Sequence, residues 1–208
     1  NERIQTIMTE IFVKQLSKRY GYQWVVKDFD SHFQSDKIYG IAGKNGSGKS
    51  TLIKMISGYL TPTSGEIQYV FDNKRIGVDN IYKYVSLAAP YTDLINEFTL
   101  SEMFYFHCKF KKLHKPLTFK EFETVIHLPN QKEKTLQHFS SGMKQKIQLA
   151  LAILSDTPII LLDEPTSFLD QFNKEWFSEL LNNFKNNRIV IIASNDPYDL
   201  AICEDVKF

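Results

Sequence analysis

Gly43-Lys44-Asn45-Gly46-Ser47-Gly48-Lys49-Ser50-Thr51 carries the plainest chemistry in the chain, since it matches the pattern G-x-x-x-x-G-K-[ST]. Its three glycines let backbone N–H groups turn inward around phosphate oxygens with no Cβ in the way. Lys49 adds a point charge toward the β- and γ-phosphates, and the Ser50 hydroxyl can sit on Mg2+. A second set, Asp163-Glu164, follows the apolar run Ile159-Ile160-Leu161-Leu162 directly. One carboxylate there can bind Mg2+ through water, and the other can orient or deprotonate an attacking water. An isolated Asp-Glu pair is more often a solvated strand end; the glycine loop upstream is what favours the metal. Tyr20 is either an ordinary turn aromatic or a face on which a base stacks.

The flanking patterns fit what these residues need. Lys37-Ile38-Tyr39-Gly40-Ile41-Ala42 reads as a buried strand before the glycine loop, and Leu52-Ile53-Lys54-Met55-Ile56 as a helix after it. Residues 7–35 read as β-rich, with Ile11-Phe12-Val13 and Trp24-Val25-Val26 parted by a turn at Lys18-Arg19-Tyr20-Gly21. Gly58 to Ile67 is a helix stop, a Pro/Gly turn and a return to strand. From about residue 90 the texture turns helical. Ser101 is expected to cap a helix with Met103, Phe106, Phe110 and Leu113 at three- and four-residue spacing. Thr118-Phe119-Lys120-Glu121 is a capping box for a second helix with Phe122, Val125 and Ile126 inward. Ser140-Ser141-Gly142 opens a third, with Ile147, Ala150, Leu151 and Leu154 on one face. A helix with Phe172, Trp176, Leu180, Leu181 and Phe184 on its apolar face follows the 159–162 run, before the apolar run 188–193. Such runs mark strands buried on both faces. The alternation predicts a right-handed, mostly parallel α/β sheet with ligands at its carboxyl edge.

At 208 residues, 43% hydrophobic and with a formal net charge of +1, the chain shows no sign of disorder or of a nucleic-acid polycation. Cys108 and Cys203 match no metal spacing and read as reduced thiols of a cytosolic protein. No run reaches the apolar length of a membrane span, and no signal-peptide pattern is present. Asn1 is not an initiator residue, which suggests a processed or cropped start.

Asp163-Glu164-Pro165-Thr166-Ser167-Phe168-Leu169-Asp170 resembles the Walker B box and D-loop of ATP-binding-cassette (ABC) ATPases. Phe139-Ser140-Ser141-Gly142-Met143-Lys144-Gln145 resembles their signature motif, and Lys18-Arg19-Tyr20-Gly21 their adenine-stacking segment. The resemblance spans about residues 7–206. It implies a P-loop NTPase in one domain over 1–208: an α/β core from 1–89 and 150–208 with an N-terminal antiparallel β subdomain, and a helical subdomain over about 90–149. It further implies an ATPase that pairs head to tail, expected as a homodimer, around two ATP and Mg2+. Lys49 and the loop would bind phosphates, Tyr20 the base, and Ser50 and Asp163 (through water) the metal. Glu164 would be the general base and Asp170 a link between protomers. Ser140, Ser141 and Gly142 would reach the nucleotide of the other copy, with Ser140 also capping its own helix. A separate membrane permease is the implied partner, placing the protein on the inner face of the membrane; its coupling helix would dock near Phe104, Tyr105 and Phe110. No nucleic-acid partner is expected.

The chain departs from that pattern in three places. Ser141 and Met143 stand where the signature usually has Gly and Gln. No Gln occurs between Gln68 and Gln131, so the Q-loop glutamine is missing and Ala88-Ala89-Pro90-Tyr91 occupies its region. Ser194-Asn195-Asp196 replaces the usual Thr-His-Asp; Asn195 can donate to a γ-phosphate but cannot carry a proton as His can. A small bacterial subgroup of transporter ATPases looks similar at these positions. The expectation is therefore slow but real hydrolysis driving transport. The alternatives are a nucleotide-gated dimerising module with negligible turnover and a soluble non-transport ABC protein.

Overall fold

The computed structural model describes residues 8–207; the start of the β-rich stretch, at residue 7, lies outside them. The chain opens with a long hairpin, β1 (Thr9–Tyr20) and β2 (Gln23–Gln34), and then enters β3 (Lys37–Ala42) and α1 (Lys49–Ile56). Lys18, Arg19 and Tyr20 are thus the last residues of β1, and the turn falls one step later, at Gly21-Tyr22. β4 (Ser64–Phe71) and β5 (Lys74–Ile76) return to the hairpin and make a four-stranded antiparallel sheet in the order β2-β1-β4-β5. The register of β1 shifts near Gln15, whose φ is +46°. β4 approaches that bulge through Gly65, where a Cβ would lie 2.3 Å from the Gln15 carbonyl oxygen. Only glycine fits there.

β6 (Val85–Ala88) leads into the helical stretch: α2 (Leu100–Phe110), α3 (Phe119–Val125) and α4 (Ser141–Leu154). β7 (Ile159–Asp163), α5 (Gln171–Phe184), β8 (Ile189–Ser194), α6 (Pro197–Ala201) and β9 (Asp205–Lys207) complete the chain. The second sheet is parallel throughout, in the order β6-β7-β8-β3-β9. Its strands are apolar on both faces because each face has its own core. Ile159 and Leu161 of β7, with Ile189 and Ile191 of β8, pack with α1 and the antiparallel sheet. Ile160, Leu162, Val190 and Ile192 pack with α2 to α5. A one-residue slip would exchange the two faces, so the register is firmly set.

Three helix details differ from expectation. Thr99, not Ser101, caps α2: its side chain accepts from the Glu102 N–H while Glu102 returns a carboxylate to the Thr99 N–H. The reciprocal pair satisfies two terminal donors, which Ser101, buried in the first turn, could not. The buried face of α2 is Leu100, Met103 and Phe104; Phe110 is 72% exposed and Leu113 lies beyond the helix end. On α5, Trp176, Leu180 and Leu181 are buried as expected, but Phe172 is 67% exposed in the first turn, beside the His127 ring.

Candidate functional site

Four strand ends meet at the carboxyl edge of the parallel sheet. Ala42 of β3 pairs with Ser194 of β8, Ala193 with Asp163 of β7, and Leu162 with Ala88 of β6. The loops leaving these strands therefore start side by side, and they carry the glycine loop, Asp163-Glu164, Asn195 and the segment 89–92.

The glycine loop runs from Gly43 into α1, whose N-cap is Gly48 at φ +101°. A Cβ there would lie 2.5 Å from the Val25 carbonyl oxygen of β2, so the loop's turn and its close packing both require glycine. Lys44 and Asn45 are exposed, while Lys49 is only 5% exposed. Its ammonium donates to the carbonyls of Gly43 (2.8 Å) and Lys44 (3.3 Å) and pairs with Glu164 Oε1 at 3.3 Å. The helix N-terminus and this charge together form an anion site.

Asp163 is fully buried, and neither carboxylate oxygen has a hydrogen-bond partner among the described residues. Burial pushes its carboxyl above the usual range, opposed by the Ser50 hydroxyl and by the charges of Lys49 and Lys54. An orphaned carboxylate facing a Ser hydroxyl at a phosphate loop suits a divalent cation. No cluster of three His, Cys, Asp or Glu suited to a metal occurs among the described residues. The oxygen donors of Asp163 and Ser50 are of the kind Mg2+ takes, an ion that keeps waters and takes substrate phosphates.

Glu164 sits just past β7 at φ +49°, with its N–H bonded to the Ala193 carbonyl at 2.7 Å. That costly backbone turns its side chain back over the edge. There Glu164 Oε2 accepts from the Ser194 hydroxyl at 3.1 Å and faces the Asn195 N–H at 3.5 Å. The Ser194 hydroxyl is also 2.6 Å from Asp199, whose carboxyl burial pushes upward. The Asn195 amide donates to Asn45 Oδ1 at 2.7 Å, tying β8 to the glycine loop.

Tyr91 was not among the expected site residues. It follows β6 on a turn in which the Ala89 carbonyl accepts from both the N–H (2.9 Å) and the hydroxyl (2.7 Å) of Thr92. Its hydroxyl is buried and faces Asp163 at the limit of hydrogen-bond reach, with no other partner among the described residues. Burial, then the Asp163 charge, pushes its ionisation well above the ordinary phenol range, so it stays protonated. Its only sequence signal was the absence of the glutamine expected in that region.

The serine-headed helix is built differently. Ser140 is exposed and caps α4, its hydroxyl accepting from the Met143 N–H at 3.3 Å. Ser141 begins the helix with no positive φ, so serine there carries no backbone strain. A Cβ on Gly142 would lie 2.9 Å from the Phe168 carbonyl oxygen, so α4 rests against the loop after Glu164. Gln145 adds a bond to the Pro165 carbonyl at 2.8 Å. Asp170 is exposed and caps α5 through the Asn173 N–H at 2.9 Å. Nothing among the described contacts joins Ser140, Ser141, Gly142 or Asp170 to the glycine loop. Tyr20 is half-exposed at the end of β1, with the Lys18 ammonium 5.5 Å from its ring centre, and is not among the residues lining the cleft at Gly43, Asn45 and Asn195.

A family model described as ABC transporter matches residues 26–167. Over 188 residues the chain is 31% identical to the bacitracin transport ATP-binding protein BcrA of Bacillus licheniformis, covering 88% of this chain and 60% of that protein. It is 32% identical over 156 residues to an uncharacterized ABC transporter ATP-binding protein, YcbN, of Bacillus subtilis, covering 74% and 50% respectively. The chain thus spans 50% to 60% of the length of these two relatives. Among solved structures, a dimeric bacterial ABC transporter cassette superposes with a TM-score of 0.76 at 23% identity, covering 94% of this chain and 92% of that one. At that identity the likeness speaks for the fold.

Proposed function

Since the chain belongs to the ABC transporter family of ATP-binding domains, we propose that it binds and hydrolyses ATP as one of two cassettes that power a separate membrane permease. One observation carries the reading: the orphaned Asp163 carboxylate lies beside Ser50 at a glycine loop whose lysine is paired with Glu164.

In this reading the loop from Gly43 to Thr51 holds the triphosphate, with Lys49 on the β/γ oxygens. Ser50 and, through water, Asp163 hold Mg2+, which when bound would neutralise charge on the transferred phosphate. Nucleotide entry gives Lys49 a better partner than Glu164, whose carboxylate is then available to orient and deprotonate water. The Asn195 amide donates to the γ-phosphate without carrying a proton, which makes turnover slow. Tyr20 stacks the base. Ser140, Ser141 and Gly142 of a second, identical copy close over the phosphates, and Asp170 links the copies.

The whole chain acts as one domain, its helical part over about 90–149 turning toward the permease. No helix of the described residues is long and apolar enough to cross a membrane. In this reading the permease holds the domain at the inner membrane face. The docking face is a groove of about 700 Å3 lined by Tyr59, Val78, Tyr82, Met103, His107 and Lys111. Of the expected Phe104, Tyr105 and Phe110, Phe104 is core at 2% exposure while Tyr105 and Phe110 are exposed, and none of the three lines this groove. ATP turnover by the Glu164→Gln variant is the test: a large loss of phosphate release with ATP binding retained supports the assignment, and parental turnover sinks it.

A further inference from the structure

We propose that Tyr91 is a positioning residue of the metal site, its hydroxyl holding the water shell of the nucleotide-bound divalent cation in the role left open by the missing glutamine. The inference rests on the nucleotide-binding reading above and adds a residue to it.

The chain offers its own controls. Tyr69 donates its hydroxyl to the Ile56 carbonyl at 2.8 Å, and the Tyr39 oxygen accepts from the Gln34 N–H at 2.8 Å. The Tyr198 hydroxyl meets that of Ser178 at 3.0 Å. Tyr91, half-buried with its hydroxyl inward, has no such bond to a neighbouring backbone or hydroxyl group among the described residues, and it faces a carboxylate that has none either. Beyond each other, the two oxygens have no partner among the described residues, so both can turn to one further group. A hydrated cation is such a group: the carboxylate takes the charge, and the phenol accepts from or donates to a coordinated water.

The placement is rigid. Pro90 fixes the preceding φ, the Thr92–Ala89 bonds close the turn, and Gln148 of α4 bonds the Thr92 carbonyl. The Lys54 ammonium lies 3.9 Å from the Tyr91 ring centre, on the helix that also presents Ser50. A phenylalanine would fill the same space, so with no ligand bound the hydroxyl adds nothing to packing.

The test compares the parent with Tyr91→Phe and Tyr91→Gln by calorimetric titration of a non-hydrolysable ATP analogue, in chelator and then across a Mg2+ series. Manganese electron paramagnetic resonance serves as a second readout. Binding in chelator should be unchanged in all three. Tyr91→Phe should need about 10- to 100-fold more Mg2+ for half-maximal stimulation of binding, and Tyr91→Gln should recover most of that loss. The ligand-free melting temperature of Tyr91→Phe should equal or exceed the parent's, because a buried unpartnered oxygen is removed. An unchanged Mg2+ requirement in Tyr91→Phe overturns the proposal, as does a lowered melting temperature with no change in that requirement. Lys49→Ala keeps the two readings apart: if it abolishes nucleotide uptake while Tyr91→Phe behaves as parent, only the Tyr91 assignment falls. If Lys49→Ala binds as the parent does, the site itself is misread.

Discussion

The glycine-loop side of the sheet edge and the serine-headed end of α4 hold their polar groups in opposite ways. On the first, Lys49, Glu164, Ser194, Asn195 and Asn45 are joined to one another, and the orphaned atoms of Asp163 and Tyr91 point inward. On the second, Ser140 and Ser141 are exposed, the Ser140 hydroxyl is turned back onto its own helix, and the backbone behind Gly142 is pressed against Phe168. One side is a connected network with unpartnered oxygens inside it. The other is a rigid donor with nothing opposite it among the described residues. The contrast fits the proposed reading, in which one copy holds a nucleotide and a second closes over it.

Removing Lys49 should break the contrast most severely. Lys49→Ala deletes the charge at the anion site and leaves Glu164 without its cation, so nucleotide affinity should fall at least about 100-fold by calorimetry. Glu164→Gln keeps the network's shape and removes the base. Turnover should drop about 10^2- to 10^4-fold, while ATP binding holds and a dimer accumulates in light scattering. Gly142→Ala addresses the other side alone. Its methyl would meet the Phe168 carbonyl, an overpacking worth about 1–3 kcal/mol. Turnover should fall about tenfold, while nucleotide affinity of the monomer stays within about twofold of parent; a comparable loss of monomer affinity would show that the two sides are not separate.

The smallest effect should come from His107, which lines the groove and touches neither side. Burial, with the nearby Lys111 charge, lowers its pKa to about 4, and its ring meets the Ser155 hydroxyl at 2.9 Å. Because an unfolded His titrates near 6.5, the unfolded chain binds more protons between about pH 4 and 6.5. This stability is complete above that window and is lost as pH falls through it. The loss is on the order of 1 kcal/mol at pH 6. Denaturant melts of the parent at pH 7.5 and 6 should show this slope, and His107→Gln should flatten it without altering nucleotide binding at pH 7.5.

What sequence made legible was whatever is decided within a few residues. The glycine loop, the apolar strand ending in Asp163 and the Ser140 cap depend on neighbours in the chain, and each lies where expected. The α2 cap was also local: Thr99-Leu100-Ser101-Glu102 contains the capping box, and Glu102 decides between two plausible hydroxyls. Tyr91 was not legible, because its meaning comes from the register of β6 beside β7, which sets it against Asp163. The face of α2 was misread for a related reason. Phe104, Phe106 and Phe110 are equally apolar, and only packing against Phe119 and Phe122 of α3 picks Phe104. Serine in place of glycine at 141 carries no backbone cost because the helix begins at that residue.

Arg188 lies at the far edge of the parallel sheet, just before β8. Its guanidinium donates to the carbonyls of Thr157 (2.6 Å), Ile153 (2.7 Å), Ser155 (2.7 Å) and Phe184 (3.1 Å), clasping the ends of α4 and α5 to the start of β7. A lysine has neither the fork nor the donors to do the same. Damage at this clasp would therefore surface as a whole molecule that melts early while its chemistry, until then, runs at full speed.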